Sequence, residues 1–146
     1  CDMRSTFSPK LSTKTKIQGG IGHEHYISKL SMRGHLIVAD EPLDNGGKDA
    51  GPTPTELVLS GLAACTASTL RMYADKKGWD VERIDLEISI RIEKTDTGQI
   101  SHVESLIDIT GNITAEEKAR MIEIAQKCPV HKLLSNPIQI QTSAKP

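Results

Sequence analysis

Residues 81–94, VERIDLEISIRIEK, set Ile84, Leu86, Ile88, Ile90 and Ile92 in alternation with polar and charged residues. A period of two puts every second side chain on the same side of an extended chain, so this run reads as a strand that buries one face. After the turn residues TDTGQ, the stretch SHVESLIDITG at 101–111 repeats the pattern. Two such runs joined by a short polar turn predict a long antiparallel hairpin with one wet face. The remaining chain must supply cover for that ribbon.

Two helical segments can do so. The stretch GPTPTELVLSGLAACTASTL, residues 51–70, opens with Thr53 as N-cap, Pro54 at the first helical position and Glu56 three residues after Thr53, which is a capping box. Leu57, Val58, Gly61, Leu62, Cys65, Thr69 and Met72 then recur at steps of three and four, predicting an apolar side that carries Cys65. Gly61, Ala63, Ala64, Ala67 and Ser68 are small and surround Cys65, which lets a second helix come close. Gly78 is the expected stop. A second box, Thr114 with Glu117, opens another helix carrying Ala119, Ile122 and Ala125 to Cys128, and Pro129 starts a short third helix, PVHKLLS. The stretch PIQIQTS reads as a closing strand.

Upstream, STKTKIQGGIGHEHYISKL alternates around Gly19 and Gly20 and predicts a hairpin, with a further strand at GHLIVAD. The collection of Pro, Gly, Asn and Asp in PLDNGGKDAGP is loop chemistry, and no domain boundary is placed there. Strands, helix, strand pair, helices, strand is the order of an α+β domain with helices packed on antiparallel sheet; hairpins argue against a doubly wound parallel sheet.

At 146 residues, with 37% hydrophobic and 25% charged, the chain fits one globular domain covering 1–146, with 1–12 expected as a flexible N-terminal segment. The 18 Lys and Arg nearly balance the 19 Asp and Glu, and neither sign forms a long run, which argues against nucleic acid or a membrane surface as partner. No apolar run is read as a membrane span, and the start CDMRSTFSPK lacks the apolar middle of a secretory signal, so a cytoplasmic location is expected. Large aromatic anchors are confined to Phe7, Tyr26, Tyr73 and Trp79, and a core so short of them gains from burying surface against a second chain.

Cys1, Cys65 and Cys128 are too few and too scattered for a disulfide framework, which leaves redox or metal chemistry. Cys1 is read as a bystander. Cys128, just before Pro129, can occupy a helix N-cap, where unpaired amide donors and the helix dipole favour an anion. Cys65 in mid-helix gets no such help from its own helix, and apolar burial disfavours a thiolate. On pattern alone, a cysteine on an apolar face is most often packing.

The segments TPTELVLSGLAAC and KCPVHKLL, in this order and separation, resemble the OsmC/Ohr family of osmotically inducible and organic-hydroperoxide-resistance proteins. That resemblance implies an OsmC-like α+β fold in which antiparallel sheets wrap two central helices of an intertwined homodimer. It implies no metal and no organic cofactor. It also implies Cys65 as the peroxidatic thiol and Cys128 as the resolving one, an organic hydroperoxide as substrate, and a dithiol such as a lipoyl protein as reductant. The acidic residue that the family carries directly after the proline at the start of the helix falls here on Thr55, with Glu56 one position later. At about 100° per residue Glu56 lies roughly half a turn from Cys65, so capping is its simpler role beside a catalytic one. The family's arginine near the first hairpin is replaced by Ile21 and His23, with Arg33 and Arg71 as candidate substitutes.

Two rivals remain. Cys128-x-x-His131 has a metal-ligand spacing and His23 and His25 would share a strand face, so a zinc site is conceivable. Alternatively the fold serves as a non-enzymatic binder of small apolar ligands or a redox sensor.

Overall fold

The computed structural model describes Phe7, Pro9 and residues 15–146. Cys1, and the segment 1–12 apart from Phe7 and Pro9, lie outside the described residues, as do residues 12–14 of the first expected hairpin. The elements are α+β and antiparallel throughout, as the order of patterns requires. The contacts divide into two compact units, one of Ser12–Gly61 and one of Cys1–Leu11 with Leu62–Pro146.

The unit Ser12–Gly61 holds a three-stranded sheet, β1 (Gln18–Ile21), β2 (Ser28–Met32) and β3 (His35–Ala39), in the order β1-β2-β3. The hairpin forms, but Gly19 and Gly20 are not its turn. They lie inside β1, paired with Leu30 and Lys29, and a Cβ on Gly19 would run into the Lys29 carbonyl oxygen. Close strand approach, and not chain reversal, is what requires glycine there. Reversal is made by residues 22–27, so His23 and His25 sit in an exposed turn and share no strand face. Between β3 and the next helix the loop closes on Asp40, which is 1% exposed. Its carboxylate accepts the backbone amides of Glu41 at 2.8 Å, Lys48 at 3.1 Å and Ala50 at 3.0 Å.

Helix α1 (Pro54–Lys77) begins as the capping box predicts: the Thr53 amide donates to Glu56 Oε1 at 2.8 Å, and the Glu56 amide donates to Thr53 Oγ1 at 3.2 Å. It stops at Gly78, whose φ of 71° is left-handed. The buried side is rotated from the expected one. Leu62, Thr66, Thr69, Leu70, Tyr73 and Ala74 are buried, whereas Val58 and Met72 are each 52% exposed. A helix this evenly supplied with small and apolar residues offers more than one stripe of helical period, and the bulk of Leu70 and Tyr73 selects the one used. By length and composition α1 is also long and apolar enough to cross a membrane, which the residue pattern above does not reveal.

In the unit containing Leu62–Pro146, the ribbon forms as β4 (Asp80–Thr95) and β5 (Gly98–Asn112), paired from Thr95↔Gly98 around a two-residue turn to Asp80↔Asn112. A bulge between Val81 and Arg83 shifts the register near its base. One face carries Ile84, Leu86, Ile88, Ile90 and Ile92, opposite Ile109, Ile107, Ser105, Val103 and Ser101. Helix α2 (Ala115–Ile124) starts at the expected Thr114–Glu117 box, and its buried residues are Met121 and Ile124, with Ile122 exposed. A turn of tighter helix, Ala125–Lys127, leads to α3 (Pro129–Ser135). The core gathers Leu70, Tyr73, Val81, Ile109, Met121 and Ile124, with Phe7 against the Tyr73 ring at 5.3 Å between centroids. The expected closing strand does not form. Residues 137–146 have no strand assignment, and Ile140 is 84% exposed.

Candidate active site

Cys65 occupies the middle of α1 and is half-buried, and Cys128 is fully buried at the start of α3. Cys128 is the N-cap of α3, with Pro129 at the first helical position, and its Sγ accepts the His131 amide at 3.4 Å. Proline's fixed φ and missing N–H suit the first turn of a helix, so the sequence Cys-Pro delivers a cysteine to a helix start by construction.

The fold brings the two thiols together. Cys65 interacts with the Cys128 thiol, with the backbone amide of Val130 and with the hydroxyl of Thr69. Burial, and then the Cys128 thiol, push the Cys65 thiol above its ordinary range; the Val130 amide and the Thr69 hydroxyl pull the other way by donating to sulfur. Neither donor belongs to the residues that sequence reading selected for chemistry. Thr69 had a signal, four residues beyond Cys65 on one helix face; the Val130 amide had none, since any residue after Cys-Pro brings one.

The other candidates are employed elsewhere. Glu56 is held by its own cap. Arg71 donates to the Val81 carbonyl at 2.8 Å, where it pins the base of the ribbon to α1, and lies 4.0 Å from Asp75. Arg33 sits at the turn joining β2 and β3 with φ of 49°. Among the described residues no group of three or more His, Cys, Asp or Glu is placed to hold a metal ion.

A cavity of about 440 Å³, within the size range of small-molecule sites, opens between α1, α3 and the ribbon, with neither cysteine in its lining. Leu62 and Thr66, which flank Cys65 on α1, form one wall, and His131 and Ser135 of α3 another. The ribbon lines it with Ser101, Val103, Ser105 and Ile107, and Ile122, Ala125, Gln126 and Leu134 complete the lining. Two thiols in contact are suited to two-electron oxidation, with the second sulfur in place to capture the oxidised first.

A family profile described as OsmC-like protein matches residues 46–143. Among solved structures, an OsmC-like protein from Mycoplasma pneumoniae is similar with a TM-score of 0.72 at 20% identity, over 85% of this chain and 89% of that one. An organic hydroperoxide resistance protein OsmC from Legionella pneumophila is similar at 0.65 and 22% identity, over 86% and 92%. An organic hydroperoxide resistance protein from Elizabethkingia anophelis is similar at 0.67 and 22%, over 87% and 91%. No curated protein matches the chain.

Proposed function

This chain belongs to the OsmC-like protein family, and from that premise we propose that it is a thiol-dependent reductant of organic hydroperoxides that works through Cys65 and Cys128. The contact between the two thiols carries the reading, because a peroxidase of this kind needs a second sulfur at the first. The Cys65 thiolate attacks the terminal oxygen of the hydroperoxide. An S–O bond forms, the O–O bond breaks, and the alkoxide leaves and takes up a proton. Cys128, as thiolate, then attacks the Cys65 sulfur; the S–S bond forms and hydroxide leaves as water. An external dithiol, such as a lipoyl group, returns both thiols by exchange. The chain acts as a homodimer in the cytoplasm and needs neither metal nor organic cofactor. Glu56, bound in its cap, serves the helix.

The raised Cys65 thiol favours a second reading, a slow redox sensor or a ligand binder with no turnover, because little thiolate is present at neutral pH. Intact mass and peptide mapping after one equivalent of an organic hydroperoxide separate the two. A Cys65–Cys128 disulfide formed within seconds, abolished by Cys65→Ser and replaced by over-oxidised Cys65 in Cys128→Ser, supports the peroxidase. Thiols that stay reduced for minutes sink it.

A further inference from the structure

Helix α3 has seven residues, too few to persist in water without outside support. Packing supplies little of it: Pro129 is its one buried residue, and Leu133 and Leu134 are 45% and 36% exposed. At the far end the Ser135 hydroxyl and the Asn136 side-chain amide donate to the His131 and Lys132 carbonyls, each at 2.6 Å. The near end has backbone donors to satisfy. The Cys128 amide donates to the Ala125 carbonyl, the Lys132 amide donates to the Cys128 carbonyl, and Pro129 has no N–H. Two donors are left, and both end on sulfur: the His131 amide on Cys128 at 3.4 Å and the Val130 amide on Cys65. The thiol pair is therefore also the side-chain cap of α3.

We infer that this cap is redox-sensitive: a Cys65–Cys128 disulfide releases the first-turn amides of α3, and the helix loosens. A disulfide holds its sulfurs about 2.05 Å apart with a torsion near 90°. Thiols in non-bonded contact must swing together to reach that geometry, so the two sulfurs cannot both keep the positions from which they accept their amides. As the S–S bond forms, the thiols give up two electrons and two protons; an organic hydroperoxide takes them, its O–O bond breaks, and alcohol and water leave. All residues from His131 onward are exposed, so the change shows at the surface and not in the core. The inference rests on the pairing of Cys65 with Cys128, but not on a hydroperoxide as the oxidant.

The test compares amide hydrogen exchange in reduced protein and in protein oxidised with diamide, which joins thiols without any need for a peroxidase site. Peptide mapping identifies the Cys65–Cys128 bond. Oxidation is expected to speed exchange at His131, Leu133 and Leu134 by about fivefold, the factor that corresponds to one lost helix cap, while the buried Leu70 and Ile109 amides stay as they were. Cys128→Ser keeps a capping oxygen and cannot form the bond, so its α3 amides are expected to ignore diamide. Cys65→Ser, which leaves the Cys128 cap in place, is expected to ignore it too. Equal exchange in the reduced and oxidised parent overturns the switch, as does a rise shared equally by Leu70 and Ile109, or the absence of a Cys65–Cys128 bond after diamide. If diamide forms the bond and an organic hydroperoxide does not, the peroxidase reading fails while exchange still decides the switch.

Discussion

Cys65 carries opposing influences whose balance can be measured. In the folded chain its thiol is raised, first by burial and then by Cys128. An acid whose folded pKa lies above its unfolded value is favoured in its neutral form by folding. Its contribution to stability is thus present below the unfolded thiol pKa of about 8.5 and fades as pH climbs from there through the folded value. The reactive thiolate has the opposite trend. Alkylation of Cys65 by iodoacetamide, read by mass spectrometry in Cys128→Ser to isolate it from the pair, is expected to run slower than a free thiol at neutral pH and to rise with pH. Thr69→Val removes one of the two donors to the sulfur at almost constant volume, and is expected to slow alkylation of Cys65 in the otherwise native protein several-fold at neutral pH, with no change in the amide at Val130. An unchanged rate would mean that the Thr69 hydroxyl does not serve the thiolate. The place of Cys128 at a helix start was legible from its proline, and that of Cys65 within a long helix from the pattern around it. Their contact was implied by the resemblance and not by spacing, because the two are far apart in the chain and only tertiary packing joins them.

At the scale of elements, the sequence was most legible where one residue fixes one local hydrogen bond. Both capping boxes occur at the residues that spell them, and the stop at Gly78 and the Cys-Pro helix start behave likewise. Legibility failed where several solutions shared one pattern. The face of α1 could be drawn through Met72 or through Tyr73, and the Gly-Gly pair served as well for close approach as for reversal. The loop after β3 was recognised by its Gly, Pro and Asn content, but not the carboxylate that organises it. Hydrogen bonding by the Ala50 amide, with those of Glu41 and Lys48, holds Asp40 below its usual range despite burial. The sign follows from a depressed folded pKa: the stabilisation is full above the unfolded value near 3.9 and is lost as pH falls through the folded one. Asp40→Asn is therefore expected to melt below the parent at neutral pH, with the gap closing as the parent's own carboxyl protonates in acid. Thermal unfolding of both proteins across that range checks it; a gap independent of pH would assign the loss to shape and not to charge.

For the whole molecule, the ribbon and the tail expose more apolar surface than scattered surface residues explain. Leu106 and Ile100 are 55% and 50% exposed, and Ile138 and Ile140 are 55% and 84% exposed in a stretch that alternates like a strand without pairing as one. Small or slender residues Ala64 and Ser68 are likewise exposed along α1 beside Met72. In the proposed homodimer these surfaces are covered by the second copy. Ile138→Lys with Ile140→Lys, which removes no contact buried in the single chain, is then expected to shift sedimentation equilibrium from twice the chain mass toward the chain mass. A parent protein that sediments as one chain would refute the dimer outright. The alternation in PIQIQTS was readable, but its pairing was not, since a strand's partner need not lie in the same chain.

The amide of Val130 and the sulfur of Cys128 both reach Cys65 from a segment made long after it. During synthesis, which proceeds at roughly 5–20 residues per second, α1 leaves the ribosome several seconds before α3 exists. The ribbon can zip from its own two-residue turn in the meantime, since its contacts are local. The nascent chain therefore carries an ordinary cysteine where the finished protein has a paired one. The thiol pair assembles only once the chain has been made through α3, so a truncated product would have the sheet ribbon and the long helix without it.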